Sequence, residues 1–264
     1  MTLPHYALGA TDVEHQRLLS LASHEEDRVI DACRRAGVGE GARVVDFGCG
    51  PLGALAALSR VVGPSGSVTG VDASPAALAK ARLLSPSVQL VQADVNDVAL
   101  PPCDLAYSRL MLLHQQDPLR TLRNMHRALK PGGVLIAHEP SDLPMHAPAS
   151  EPPVPAMTRI WELVIGAAQA RGATTDFGLR GRSYLTAAGF TVESTRAYVV
   201  HYPPEVGYDI PRVALQSLRP TLLEHSLATE AAIAALDAEA EAAKGREGVQ
   251  WVSSPLMVEW VGRK

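Results

Sequence analysis

Over the first 140 residues, short apolar blocks alternate with longer stretches of helical spacing. Residues 11–36 carry Leu18, Leu21, Val29 and Ala32 on one helical face, which predicts an N-terminal helix. Arg43–Phe47 reads as a short buried strand that runs into a glycine-rich turn. Residues 52–62 return to helical spacing and stop at Gly63-Pro64-Ser65-Gly66, a run with strong breaker chemistry. Ser67–Asp72 is a second strand, after which Ser74 caps a helix with Pro75 at its first position, where the missing N–H costs nothing. Strands are expected at 88–93 and 104–108, and Asp117-Pro118 repeats the cap-plus-proline start for a helix over 119–129. Lys130-Pro131-Gly132-Gly133 ends that helix and launches a strand at 134–137. Six prolines between 140 and 155 then impose an irregular connection, because proline removes donors and fixes φ. Beyond it the pattern is mostly helical with two late strands.

Strand–helix alternation with short loops predicts an α/β fold with a parallel sheet wound on both faces. Such sheets bind ligands outside the carboxyl ends of their strands, so the residues that follow each strand are the ones to inspect.

Composition narrows the class. The chain has 264 residues and a formal charge of −4, with no basic block. Electrostatic capture of nucleic acid or of an anionic membrane is disfavoured. The longest run without a charged side chain spans 13 residues (47–59), short of the roughly 18 a membrane-spanning helix needs. No basic-then-apolar leader opens the sequence. Cys33, Cys49 and Cys103 lack CxxC spacing, and the nine histidines show no ligand spacing, so no metal is expected. The expectation is a reduced cytoplasmic protein, with a homodimer left open.

Gly48-Cys49-Gly50-Pro51-Leu52-Gly53 is a GxGxxG between a strand and a helix, and Asp72 ends the next strand. The glycines permit close backbone approach to a ligand, and the acid can accept from two ribose hydroxyls. That constellation fits NAD and S-adenosylmethionine alike. Asp46, two residues before the first glycine, favours the sulfonium cofactor, since it would face a cationic amino-acid group and repel a pyrophosphate. Asp94 ends a third strand, where it can accept from an adenine amino group.

VVDFGCGPLG, VTGVDAS, QADV and ALKPGGVLI, in that order from about residue 43 to 140, resemble the motifs of class I S-adenosylmethionine-dependent methyltransferases. The likeness is greatest to bacterial ubiquinone/menaquinone-type and small-molecule methyltransferases. The resemblance implies a Rossmann-like seven-stranded sheet in the order 3-2-1-4-5-7-6 with strand 7 antiparallel, strand six at 190–200 and strand seven at 256–261. It places Asp46, Gly48, Gly50 and Gly53 at the methionine end of the cofactor and Asp72 with Ala73 at the ribose. Asp94 and Val95 fall at the adenine, and Ser108 and Arg109 at the strand-four edge. Leu52 stands where the family carries its third glycine, which arrives one residue later as Gly53. One structural domain is expected: an N-terminal helical cap segment (1–40), the cofactor-binding core (41–140), and the rest of the sheet (141–264) with a helical cap insertion at about 203–250.

Methyl transfer needs a nucleophile held near attack distance, water excluded, and a general base where the nucleophile carries a proton. His114 follows strand four and Glu139 follows strand five; these are the candidates, with a structural alternative for Glu139 as an acceptor of loop amides. His138 alternates with Glu139 and should face the other way, into packing. Tyr6, Trp161, Arg180 and Tyr202 are candidate substrate contacts in the cap. The acceptor is read as a small organic molecule of secondary or quinone metabolism, by resemblance. Three other readings stay open: a methyltransferase-fold enzyme that uses the bound cofactor for a reaction such as cyclisation, a non-catalytic binding module, and an NAD-dependent oxidoreductase.

Overall fold

The computed structural model describes residues 12–51, 53–143, 149–244, 248 and 251–264, with the side chains of the first helix described from His24 onward. Tyr6 and Leu52 lie outside the described residues.

The first half follows its sequence pattern. Helix α1 (Asp12–Arg35) leads to β1 (Arg43–Phe47), α2 (Leu55–Val62), β2 (Ser67–Asp72), α3 (Pro75–Leu84) and β3 (Gln89–Gln92). Next come β4 (Cys103–Arg109), a 3-10 turn (Leu112–His114), α4 (Pro118–Ala128) and β5 (Leu129–Pro140). The two proline starts carry the capping bonds their sequence implies. Ser74 Oγ accepts from the Ala77 amide at 3.2 Å, and Asp117 Oδ1 accepts from the Arg120 amide at 3.1 Å. Helix α2 begins at Leu55 and not at residue 52, because the glycine turn uses the intervening residues. Strand β5 is longer than its apolar stretch, since Lys130–Gly133 stay extended beside the chain's last residues and Lys264 donates to Gly133 O at 3.0 Å.

The second half comprises β6 (Ser150–Glu151), α5 (Pro155–Ala170), α6 (Phe177–Ala187), β7 (Thr191–Tyr198), β8 (His201–Tyr202), α7 (Pro204–Gly207), α8 (Asp209–Glu224), α9 (Glu230–Lys244), β9 (Trp251–Ser253) and β10 (Met257–Arg263). The main sheet has the order β3-β2-β1-β4-β5-β10-β7, with β10 antiparallel to both neighbours. This is the expected 3-2-1-4-5-7-6 arrangement, β7 and β10 serving as its sixth and seventh strands.

Two features add to the sequence reading. A small sheet, β6-β9-β8, ties the proline-rich connection to the cap; its strands of two and three residues are too short to show a period. The helical insertion expected at about 203–250 contains α8 and α9, separated where Ser226 adopts φ 52°.

Each face of the sheet buries a separate apolar layer. Val29, Ala32, Leu55, Leu58 and Leu78 of α1–α3 cover one side, while Leu122, Met125, Phe177 and Leu185 of α4 and α6 cover the other. A third cluster, with Ile160, Leu215, Leu218 and Ile233, binds α5, α8 and α9 together as the cap. No helix among the described residues is long and apolar enough to cross a membrane.

Candidate active site

The site starts where β1 ends. The Gly48 and Cys49 amides both donate to Val71 O, at 2.8 and 3.0 Å, and this folds the turn back over β2. Gly48, Gly50 and Gly53 have φ of 72°, 59° and 49°, conformations that glycine adopts without strain. Their surroundings differ. A Cβ on Gly48 would lie 2.3 Å from Met111 Cγ, and one on Gly53 would lie 2.3 Å from Cys49 O and 2.9 Å from Asp46 Oδ2. These two glycines are packed solid. A Cβ on Gly50 would meet nothing within 4 Å, so the turn opens to a ligand there.

Asp46 is buried beneath this turn and accepts from the Ala54 amide at 3.2 Å. Burial pushes its carboxyl up to about 7, against the Ala54 hydrogen bond and the Arg109 charge, which pull it down. Arg109 Nη2 donates to Gly53 O at 3.1 Å, tying β4 to the turn. Its Nη1 is buried with no hydrogen-bond partner among the described residues. At the end of β2, Asp72 Oδ2 accepts from the Gly50 amide at 2.9 Å and Oδ1 from the Ser74 amide at 2.8 Å. A carboxylate has about four acceptor positions, so capacity for further donors remains. Asp94, exposed at the end of β3, accepts through Oδ1 from the backbone and side chain of Asn96. Val95 is buried behind it, its carbonyl held by Asn124 Nδ2 at 2.9 Å. Asn124 carries no signature in the motifs; a polar residue among the apolar positions of α4 is the only signal that marks it.

A family model described as a methyltransferase domain matches residues 45–137, the stretch that contains every one of these groups. A trans-aconitate 2-methyltransferase of Methylobacterium nodulans is 34% identical over 197 residues, which cover 72% of this chain and 73% of that protein. The chain belongs to the class I S-adenosylmethionine-dependent methyltransferases. A demethylmenaquinone methyltransferase of Staphylococcus aureus is 32% identical over 135 residues, covering 48% of this methyltransferase and 56% of the relative. Among solved structures, a [4+2]-cyclase, SpnF, superposes with a TM-score of 0.53 at 22% identity, over 90% of this chain and 81% of the other. That last likeness is one of fold. The family's cofactor is S-adenosylmethionine, and the cradle suits it: space over Gly50, acceptor capacity at Asp72 and Asp94, and a buried acid, Asp46, beneath the turn.

The catalytic candidates occupy different environments. Glu139 is fully buried, and its carboxylate accepts from the amides of Met111, Leu112 and Leu113 at 3.1, 2.8 and 3.3 Å. Burial pushes it up to about 7, while the three amides pull it back. It thus holds the turn that follows β4, in the manner of a cap. His114 ends that turn and is half-buried. Leu110, at φ 54°, redirects the chain between Arg109 and the turn, its amide donating to His138 O at 3.0 Å. Ser108 is fully buried, with its hydroxyl unpaired among the described residues.

His138 faces the opposite side from Glu139, towards α1. Its Nδ1 lies 2.9 Å from the Tyr198 hydroxyl, and burial lowers its basicity to about 3.

The cap candidates divide. Tyr202 on β8 is buried in a cluster with Val200 that Leu110 packs against, so β8 sits over the carboxyl edge of β4. Trp161 is half-buried and packs against the α5–α8–α9 cluster, with its indole Nε1 buried and unpaired among the described residues. Arg180 is exposed and paired with Asp176 at 2.8 Å, one turn earlier on the same helix, a solvated ion pair. Both residues thus have partners within the protein, which helical spacing and residue type alone do not reveal. Among the described residues, no group of three or more His, Cys, Asp or Glu is arranged to hold a metal.

Proposed function

We propose that this enzyme transfers the methyl group of S-adenosylmethionine to an oxygen, nitrogen or carbon of a small organic acceptor, held between the carboxyl edges of β4 and β5 and the helical cap. The observation that carries this reading is the cradle at β1 and β2: Gly50 open to ligand, with its amide and that of Ser74 held by the Asp72 carboxylate. In it, Asp72 and Ala73 take the ribose, Asp94 and Val95 the adenine, and Asp46 the cationic amino group. Arg109, with one buried N–H unmet, takes the cofactor's carboxylate. When bound, the cofactor supplies an electrophilic methyl on sulfur, lost to a nucleophile by in-line displacement.

The chain's own tasks are then orientation and water exclusion. Glu139 is a positioning residue: with three amides on its carboxylate, it sets the turn that carries His114 and offers the acceptor no free base. His114 is the candidate base where the acceptor carries a proton. A carboxylate acceptor, the kind named in the trans-aconitate relative, is ionised at neutral pH and needs none.

The test is incubation with methyl-labelled S-adenosylmethionine against organic acids, hydroquinones and amines, read by product mass. Label appearing in one acceptor class, with stoichiometric S-adenosylhomocysteine, supports the proposal. Tight cofactor binding with the label recovered only as intact cofactor in every case overturns it.

A further inference from the structure

The face of β10 and β7 that looks towards α1 carries a second cluster, built by register. Glu259 on β10 lies opposite Arg196 on β7, and Tyr198, two residues on, shares Arg196's face. With Arg28, Asp31 and Arg35 from α1, these side chains line a cavity of about 290 Å³. The two acids on its wall are already committed. Arg35 Nη2 donates to both carboxylate oxygens of Glu259, at 2.9 and 2.8 Å, and Arg35 also pairs with Asp31. Two further cations line it. Arg28 lies 4.4 Å above the Tyr198 ring and makes one long ion pair, its Nε lying 3.7 Å from the buried Glu25 carboxylate. Arg196 is exposed and makes no ion pair or hydrogen bond among the described residues.

We propose that this cavity is a binding site for a small anion, a carboxylate or phosphate group bridged by Arg28 and Arg196, separate from the cofactor cradle. A guanidinium presents paired N–H donors that match either group, and two of them on one cavity bind an anion that a single surface arginine would not hold. Tyr198 stacks under the Arg28 guanidinium and holds it at the cavity. The volume is small for a nucleotide-sized ligand and ample for a simple organic acid. The floor of the cavity is one hydrogen bond from the sheet's interior, since the Tyr198 hydroxyl meets His138, the register partner of Arg109.

The experiment is calorimetric titration of the full chain with inorganic phosphate and, separately, with succinate at low ionic strength. Each titration is run with and without saturating S-adenosylhomocysteine. The proposal expects at least one of the two to bind, with the affinity retained when the cofactor product is present. Arg196→Ala, at an exposed strand position that the core does not use, should weaken it about tenfold or more, as loss of one charge-assisted contact implies. Arg28→Gln should do the same. The stronger ligand identifies the group recognised. Absence of binding by both anions, affinities unchanged in both variants, or displacement by S-adenosylhomocysteine would each overturn the proposal, the last by placing the anion in the cofactor cradle.

Discussion

Asp72 offers the most quantitative test of the cofactor cradle. Replacing it with asparagine keeps the shape but removes the charge and turns one of its two acceptors into a donor facing an amide, either that of Gly50 or that of Ser74. A hydrogen bond to a charged group contributes about 1.5–3 kcal/mol, and the ribose has two hydroxyls to offer. Loss of most of one such bond, together with a turn no longer held at Gly50, amounts to about 3 kcal/mol. That corresponds to roughly a hundredfold rise in the S-adenosylhomocysteine dissociation constant, at about 1.4 kcal/mol per decade. The half-buried position of Asp72 lets water replace part of what the turn loses, so folding stability should fall by only about 1 kcal/mol. Calorimetry with S-adenosylhomocysteine gives the first quantity and denaturant unfolding the second. An affinity within threefold of wild type in a folded variant would refute the assignment of Asp72 to the ribose.

The glycines should separate packing from ligand access. Gly53→Ala drives a Cβ onto Cys49 O and should cost about 2–3 kcal/mol of stability, whereas Gly50→Ala meets open space, costs about 1 kcal/mol of backbone strain, and loses cofactor affinity more than tenfold; thermal melts beside calorimetry check both. Asp46 and Glu139 are acids whose folded-state pKa, about 7, lies above the unfolded value. Their protonated forms are favoured in the fold, so unliganded stability should fall as pH rises from about 4.5 to about 7, by at most about 1.4 kcal/mol per unit per group, and level off above. Urea midpoints across that range would show it, and a curve that climbs instead would contradict it. His114→Ala should lower kcat about 10²-fold for acceptors that must lose a proton and spare acceptors already ionised, measured as kcat against pH for one substrate of each kind.

How much of this was legible in the sequence follows from the range of each signal. The glycine turn and the caps at Ser74 and Asp117 rest on local chemistry, which is written in adjacent residues, whereas the order of the seven strands is a long-range property that comes from the resemblance of the motifs to a known family. Met111 against Gly48 is a contact between distant segments that leaves no mark in a motif, and the position of Glu139 after β5 suggests loop amides as partners without saying which ones. The cap is less legible for a different reason. Trp161 and Arg180 have the right residue types for substrate contacts, but their partners, the α5–α8–α9 cluster and Asp176, are seen only in the fold. The packing of Leu110 against Tyr202 comes through β8, a strand too short for any periodicity to reveal.

A crystal structure with S-adenosylhomocysteine bound would test the central claim most directly. The account predicts the homocysteine end over Gly50 with its amino group towards Asp46, the ribose hydroxyls on Asp72, and the adenine between Asp94 and Val95. A nucleoside bound elsewhere, or one in the cradle with its ribose turned away from Asp72, would contradict it.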